Sequence, residues 1–242
     1  LLDLDIAVRR PRASGVLVGL ATAIKLTPAA FALTLLVAGR RRAVVVSAAT
    51  CLGARLLAAL VLPADSRGWL GVARDVERIG PVDGAVNVSW NGLWLRLLGE
   101  STPTTILWIG FAVATLAIAA VRSGALLRAG HSLTAATVMG FAAVLASPVS
   151  WLHHAVWVVP LIGIVLDDGR SLRRWALCVA LAVVFSEPMT AWRNLPPGTD
   201  QLTGVLDWLW VNLGILVMAL AVVLLVPGPG TRPLEPVEPQ AR

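Results

Sequence analysis

Lys25 is the residue whose type and position point most directly to chemistry. It is the single lysine of the sequence and lies inside the apolar run 14–38, three residues before Pro28. A lone ammonium in an apolar run is costly unless it pairs with an anion, reaches the membrane interface or lines a water-filled cavity. We therefore expect Lys25 to face a phosphate or a carboxylate of a ligand. The alternative is a lysine that snorkels to the interface or pairs inside the protein.

Two adjacent imidazoles form the second candidate. His153 and His154 follow the sequence Ser-Pro-Val-Ser-Trp-Leu at residues 147–152 and open a predicted helix. An imidazole at a helix N-terminus can relay a proton or donate to an anionic leaving group, so both are candidate catalytic residues. Neighbours on a helix point about 100° apart, so we predict no shared metal ion and expect one ring to face the site while the other packs. The alternative is a pair of interfacial histidines bonded to backbone carbonyls.

The stretch Asn-Val-Ser-Trp-Asn-Gly at residues 87–92 has the side chains of a sugar-binding segment. Asn87 and Asn91 carry amides that can hydrogen-bond to hydroxyls. Trp90, together with Trp151 from the histidine segment, offers a ring face that can stack on a pyranose. We predict that these four side chains bind substrate. For the two tryptophans the alternative is an aromatic belt at the membrane interface.

The chain that carries these candidates is too apolar for a soluble domain. Of its 242 residues 57% are hydrophobic and 14% charged, with a mean hydropathy of +0.79, whereas soluble domains have about 45–50% and 25%. A net charge of +6 would suggest a nucleic-acid partner for a soluble chain, but several runs here reach the length of about 20 residues that crosses a bilayer. The sequence therefore predicts an all-α, polytopic helix bundle in the cell membrane, with no cofactor and no nucleic-acid partner.

The breaks between the apolar runs predict about six spans plus one re-entrant helical hairpin. The run 14–38 is broken between Lys25 and Pro28 and has arginines at both ends, which favours a hairpin with Lys25 near its tip over a single tilted span. Thirteen arginines fall on the predicted cytoplasmic side and five on the outer side. Arg55, inside a span, either snorkels or serves a site. The expected spans are 43–62, 104–121, 132–146, 153–166, 175–186 and 205–226.

The remaining segments are predicted as connections. Residues 63–103 form a long outer loop, and residues 122–131 form an inner loop. We expect residues 1–226 to belong to one multi-span membrane domain and residues 227–242, which are rich in proline, to form a disordered cytoplasmic tail.

Three segments together resemble the successive motifs of glycosyltransferase family 87. They are Gly19–Pro28, Asn87–Gly92 and Ser147–His154. Their order and spacing match across residues 10–165, although Val88 departs from the Asn-Gln-Ser that is usual in the family. The resemblance implies a membrane enzyme of the GT-C fold that takes mannose from polyprenyl-phosphate-mannose. It would transfer the mannose in α-1,2 linkage to a cell-envelope glycan or glycolipid on the extracytoplasmic face.

The resemblance also implies roles for the candidate residues. Lys25 and one of His153 and His154 would stabilise the polyprenyl phosphate or relay a proton, and the four sugar-binding side chains would shape the mannose and acceptor site. In GT-C enzymes a carboxylate of the first outer loop acts on the acceptor hydroxyl. We expect this carboxylate to lie before Leu1, in a longer protein, because none of four acids occupies an equivalent position. These acids are Asp65, Asp75, Glu77 and Asp83.

A second interpretation remains open. A non-catalytic membrane protein, such as a transporter or scaffold for lipid-linked sugars, could use the same broken helix and intramembrane Lys25. A transporter would be expected to have a second interrupted segment in the other half of the chain, and one such segment is visible. An aspartate just after the first span of the upstream sequence would favour the enzyme.

Overall fold

The structure is a computed structural model that describes residues 1–10, 13–74, 81–186, 205–228 and 230–235. Within these ranges the chain is helical, with one isolated β-bridge, so the predicted all-α class is confirmed. Short 3-10 turns at Thr27–Ala29 and Leu152–Trp157 precede α3 and α9. The helices are α1 (Leu2–Arg9), α2 (Val16–Ile24), α3 (Ala30–Val37), α4 (Arg41–Val61), α5 (Pro63–Arg74), α6 (Trp90–Leu98), α7 (Thr102–Arg128), α8 (Ser132–Ala146), α9 (Val158–Leu166), α10 (Leu172–Val184) and α11 (Val205–Leu224).

Two of these helices are long and apolar enough to cross a bilayer. Helix α4 has 21 residues and α7 has 27, each with a mean hydropathy of 2.1 in its most apolar window. Shorter apolar helices include α8 and most of α11. A membrane helix bundle fits these lengths and compositions.

Helix α7 is longer than the sequence predicts. Much of the predicted inner loop 122–131 continues this helix as far as Arg128. The segment contains no proline, and Gly124 lets the helix pass close to α3, since a Cβ at Gly124 would lie 2.5 Å from Cγ1 of Val37. The helix ends before Gly130, whose φ of +84° favours glycine.

The predicted outer loop 63–103 contains two helices that hydropathy does not reveal. Helix α5 begins at Pro63, two residues after the end of α4, and α6 begins at Trp90. Proline is well suited to a first helical position because no intrahelical partner awaits its missing N–H. Both helices are too short and too mixed in composition for hydropathy to identify them as membrane spans. The prediction of a loop was therefore wrong for the residues of α5 and α6.

The chain divides into two compact units. The first contains Leu1–Arg78, Ala119–Gly140 and Arg232–Arg242, and the second contains Ile79–Ile118 and Phe141–Thr231. The largest fully buried apolar side chains of the first unit are Leu4, Leu35, Leu127, Val138 and Met139. Those of the second unit are Phe141, Leu145, Ile215, Met218 and Val222.

In the first unit α2 lies parallel to α4 in close contact. A Cβ at Gly15 would lie 2.3 Å from the carbonyl oxygen of Ala43, and a Cβ at Gly19 would lie 2.4 Å from that of Ser47. Four residues along α2 therefore match four residues along α4, in the same direction. The chain must return between the end of α2 and the start of α4, so both ends of the run 14–38 lie at the Arg41 end of α4.

Asp3 fixes the start of α2. Its side chain is 3% exposed, and its two carboxylate oxygens accept hydrogen bonds from the N–H groups of Gly15 and Val18, each at 2.8 Å. These donors have no intrahelical partner, and a negative charge at this end is favoured by the helix dipole. A carboxylate from α1 thus supplies the cap that α2 lacks in its own sequence.

In the second unit the turn between α9 and α10 is organised by Asp167. Its carboxylate accepts a hydrogen bond from Nη1 of Arg174 at 2.7 Å and another from the N–H of Gly230 at 2.9 Å. The Arg174 bond is the main reason why the pKa of Asp167 lies below its ordinary value. The start of the predicted tail therefore contacts this turn. Its remainder, residues 236–242, lies outside the described residues, and the disordered tail stays a prediction.

Candidate active site

The second and third sequence motifs lie against each other in the second unit. Asn87 and Trp151 form an antiparallel β-bridge, and the N–H of Val88 donates to the carbonyl of Ser150 at 2.7 Å. One segment precedes α6, and the other connects α8 to α9. The structure thus joins candidate residues that are about sixty positions apart in the sequence.

Asn87 is the centre of this junction. Its side chain is fully buried, and its Oδ1 accepts hydrogen bonds from the N–H of Ser150 and the hydroxyl of Ser89, both at 2.9 Å. Its Nδ2 donates to the carbonyls of Val82 at 2.7 Å and Pro148 at 3.3 Å. A primary amide has two donor hydrogens and an oxygen with two lone pairs, so these four bonds use its whole capacity. In this arrangement Asn87 holds two segments together.

Ser89 and Asn91 extend the junction into α6. Ser89 is the N-cap, and its Oγ accepts from the N–H of Gly92 at 3.2 Å. Serine is among the preferred residues at this position. Nδ2 of Asn91 donates to the carbonyl of Pro148 at 3.0 Å, and its Oδ1 has no protein partner among the described residues. A Cβ at Gly92 would lie 2.6 Å from the carbonyl oxygen of Asn87, so this position requires glycine.

Trp90 is turned into the protein. It is 8% exposed, its Nε1–H donates to Oγ1 of Thr115 at 2.9 Å, and its ring meets Phe111 edge-on with centroids 5.2 Å apart. Trp94 also meets Phe111 edge-on, with ring centroids 5.0 Å apart. The pair anchors α6 on α7 through aromatic packing. Little of the Trp90 ring face remains for a sugar, whereas Trp151 is half-buried.

The two histidines have different environments. Nδ1 of His154 accepts a hydrogen bond from the N–H of Trp151 at 3.0 Å, so the proton of the neutral ring is on Nε2. His153 is exposed. Both residues belong to a 3-10 turn rather than to the predicted α-helix, and their rings meet edge-on with centroids 4.3 Å apart. No group of three or more potential metal ligands occurs among the residues of known placement.

Arg96 and Asn212 support the junction and are the residues that sequence reasoning missed. Nη1 of Arg96 donates to the carbonyls of Gly84 at 2.8 Å and Asn87 at 3.2 Å, and its Nη2 donates to Oδ1 of Asn212 at 2.6 Å. Burial lowers the pKa of Arg96 to about 10, while the charge of Asp83 acts in the opposite direction. Arg96 is therefore charged at neutral pH, and this half-buried cation links the loop carbonyls to Asn212.

The position of Asn212 in the sequence could have indicated that it has a polar partner within the protein. It is fully buried in α11, an apolar helix, and its Nδ2 donates to the carbonyl of Trp208 at 2.8 Å. A polar side chain inside an apolar run indicates a partner within the protein. The identity of that partner, Arg96 from 116 positions away, could not be read from the pattern.

Lys25 lies in the first unit, at the break between α2 and the following 3-10 turn. Its backbone is extended, with φ −143° and ψ 136°, and its side chain is exposed. Pro28 begins the new helical segment as an early residue of the turn, where its missing N–H is tolerated. The predicted interruption at Lys25–Pro28 is thus present, and it presents the ammonium outside a regular helix.

Comparison with known proteins identifies the family. The model of glycosyltransferase family 87 matches residues 1–148, which is more than half of the chain. The chain belongs to glycosyltransferase family 87. No solved structure matches it. The family match covers both the Lys25 segment and the Asn87 segment, whose resemblance the sequence already indicated.

Curated relatives of this family 87 chain are mycobacterial. Over 169 residues it is 39% identical to a polyprenol-phosphate-mannose-dependent alpha-(1-2)-phosphatidylinositol pentamannoside mannosyltransferase of Mycolicibacterium smegmatis, covering 67% of this chain and 40% of the relative. Over 222 residues it is 31% identical to a polyprenol-phosphate-mannose-dependent alpha-(1-2)-phosphatidylinositol mannoside mannosyltransferase of Mycobacterium tuberculosis, covering 87% of this chain and 51% of the relative. The chain thus spans about half, or less, of the length of these relatives.

Proposed function

We propose that this chain is part of a membrane mannosyltransferase. It would take mannose from a polyprenyl-phosphate-mannose donor and transfer it in α-1,2 linkage to a phosphatidylinositol mannoside or a related cell-envelope glycolipid, outside the cytoplasm. Membership of family 87 and the names of the relatives support the reaction class. The observation that carries the site is the junction of two motifs through Asn87 and Ser150.

We infer that this junction divides the candidate residues into two groups. Asn87 and Trp90 act as positioning residues, because their polar groups are used within the protein. Asn91, whose Oδ1 can still accept from a hydroxyl, and Trp151, whose ring is half-buried, contact the sugar. This division keeps all four residues in the substrate site while assigning direct contact to two of them.

His153 is assigned to the leaving phosphate or to the acceptor proton. It is exposed beside the junction, whereas Nδ1 of His154 is held by the backbone of Trp151. His154 orients the turn and presses its ring against that of His153. Histidine is the side chain that most often transfers a proton to or from a reacting group.

Lys25 is assigned to the phosphate of the lipid donor. A compact ammonium suits a phosphate as a point charge, and the broken helix exposes it. The catalytic carboxylate implied by the family resemblance is not assigned to any residue of this chain.

We further propose a multi-pass topology with about six spans and a re-entrant hairpin formed by α2 and α3. The parallel contact of α2 with α4 supports it, because both ends of the run 14–38 lie at one end of α4. Cysteines introduced at Arg10 and Arg41, in a background in which Cys51 and Cys178 are replaced by serine, should be labelled from the same side of the membrane by an impermeant maleimide. Labelling from opposite sides would contradict the hairpin.

The function is tested by single glutamine substitutions at the two histidines of the full-length protein. His153→Gln should lower the rate of mannosyl transfer by about 10²–10⁴-fold, the usual range for a general acid or base, with donor affinity nearly unchanged. His154→Gln should reduce stability more than turnover. If both variants keep near-normal turnover, the active-site assignment is wrong. Donor binding without any transfer by the unmodified protein would favour a transporter or scaffold instead.

A further inference from the structure

Arg55 lies at a position in α4 where a charged guanidinium is energetically unfavourable unless another group binds it. It lies six residues before the end of this candidate span, about 9 Å along the helix axis. The side chains around it are apolar and point away from the protein: Leu52 is 60% exposed, Leu56 is 56% exposed and Leu57 is 63% exposed. In a bilayer this face of α4 meets lipid, so the guanidinium begins within the hydrocarbon region.

Trp69 of α5 covers one face of this cation. The guanidinium carbon of Arg55 lies 3.5 Å from the centroid of the Trp69 ring, a close cation–π contact. The ring contacts the flat face of the guanidinium. It does not accept hydrogen bonds from the N–H groups, which point outward in the plane of the guanidinium. Within the described ranges no carboxylate lies within 4 Å of Arg55, and no group there accepts a hydrogen bond from its N–H groups.

The fold of α5 brings Trp69 back to Arg55 near the Val61 end of α4. Helix α5 starts at Pro63, two residues after the end of α4, and returns far enough for Trp69 to reach Arg55. An extended arginine side chain covers much of the remaining distance to the end of α4 and so reaches the headgroup level by snorkelling. Indole rings prefer the same level. At the headgroup level the N–H edge of Arg55 would meet lipid phosphates.

We propose that Arg55 and Trp69 form a binding site for the phosphate of an anionic glycerophospholipid, in the leaflet at the Val61 end of α4. The guanidinium donates two parallel N–H bonds to the phosphate oxygens while its face stays on the indole. The acyl chains lie along the exposed leucines of α4. The site is separate from mannosyl transfer and does not depend on that proposal.

The site can be tested by lipid binding to the purified full-length protein. Native mass spectrometry across a titration gives the apparent affinity for phosphatidylglycerol, with phosphatidylcholine as the zwitterionic comparison. Arg55→Gln should weaken phosphatidylglycerol binding about tenfold or more, as expected for the loss of a charge-assisted hydrogen bond. Arg55→Lys should recover part of this loss, because the charge returns without the planar fork. Trp69→Leu should weaken binding about two- to fivefold.

Arg67 provides the matched control. It is an exposed arginine of α5, the helix that carries Trp69, and its Nε–H donates to the carbonyl of Pro63. Arg67→Gln also removes one positive charge, but from α5, and should change phosphatidylglycerol affinity less than twofold. Equal affinity in Arg55→Gln and the unmodified protein would overturn the proposal, and so would an equal loss in Arg67→Gln, which would indicate a diffuse charge effect.

Two competitors distinguish the source of the phosphate. Inorganic phosphate at millimolar concentration should not displace phosphatidylglycerol, because it lacks the acyl chains. Polyprenyl phosphate should compete poorly at this site. Strong displacement by inorganic phosphate would show a site for free anions, and selective displacement by polyprenyl phosphate would show a site for the donor lipid; either result overturns the assignment to a membrane glycerophospholipid.

Discussion

Replacing Asn87 by alanine tests whether this residue holds the site together or contacts the sugar. The change removes four hydrogen bonds around a fully buried side chain. The carbonyl of Pro148 keeps a bond from Asn91 at 3.0 Å. The N–H of Ser150, a residue that is 2% exposed, loses the Asn87 acceptor and is shielded from bulk solvent.

The expected loss of stability follows from these partners. An unsatisfied buried N–H costs about 1–3 kcal/mol, and each ordinary hydrogen bond contributes about 0.5–1.5 kcal/mol. Asn87→Ala should therefore lower the free energy of unfolding by about 2–5 kcal/mol. For a chain of this size that corresponds to a fall in the melting temperature of at least about 4 °C. Asn91→Ala, which removes one bond to a carbonyl with other donors, should cost about 1 kcal/mol.

A thiol-reactive fluorescent probe can follow the unfolding. Cys178 is 4% exposed and reacts when the second unit opens, so Cys51, which is half-buried, is first replaced by serine. Both alanine variants are measured in this background in the same detergent. A melting temperature for Asn87→Ala within 2 °C of the parent, combined with a loss of donor binding, would refute the positioning role and make Asn87 a direct ligand.

Three further outcomes are expected. Lys25→Ala in the full-length protein should weaken donor binding by about 1.5–3 kcal/mol, and Lys25→Arg should not restore it fully; unchanged donor affinity would exclude the phosphate role. Arg96→Met should destabilise the second unit by at least about 3 kcal/mol in the same thiol assay, since it leaves Asn212 and two loop carbonyls without their donor. The pKa of Asp167 is lowered in the folded protein, so its hydrogen bonds stabilise the turn above about pH 4 and are lost as the pH falls through the lower folded-state value. Acid should therefore increase proteolysis near Gly230 in the native chain. The same change of pH should have no such effect in Asp167→Asn.

The sequence by itself determined that this is a helical membrane protein and which segments carry the candidate functional residues. Apolar runs of bilayer length require helices, because backbone groups in hydrocarbon must bond within their own segment. The interruption at Lys25 also followed from local rules, since Pro28 restricts the residues before it. Three short motifs in order were enough to indicate family 87, which the family comparison then confirmed.

Rules based on local composition did not predict short helices, nor the continuation of a helix through a segment without proline. Helix α7 runs to Arg128 because contact with α3 stabilises residues that hydropathy assigns to a loop. Helix α5 is mixed in composition, and its position is fixed by Trp69 stacking on Arg55. In both cases the decisive energy comes from residues distant in the sequence.

Only the tertiary structure decided which candidate side chains remain available for a ligand. The amide of Asn87 and the indole of Trp90 have the right chemistry for a sugar, yet their polar atoms bond to Ser150 and Thr115. The sequence shows which groups a side chain is able to bind, but not which groups of the folded protein it already binds. A polar group buried in a protein takes its partner from whichever segment packs against it, because leaving it unsatisfied costs more than any single hydrogen bond returns.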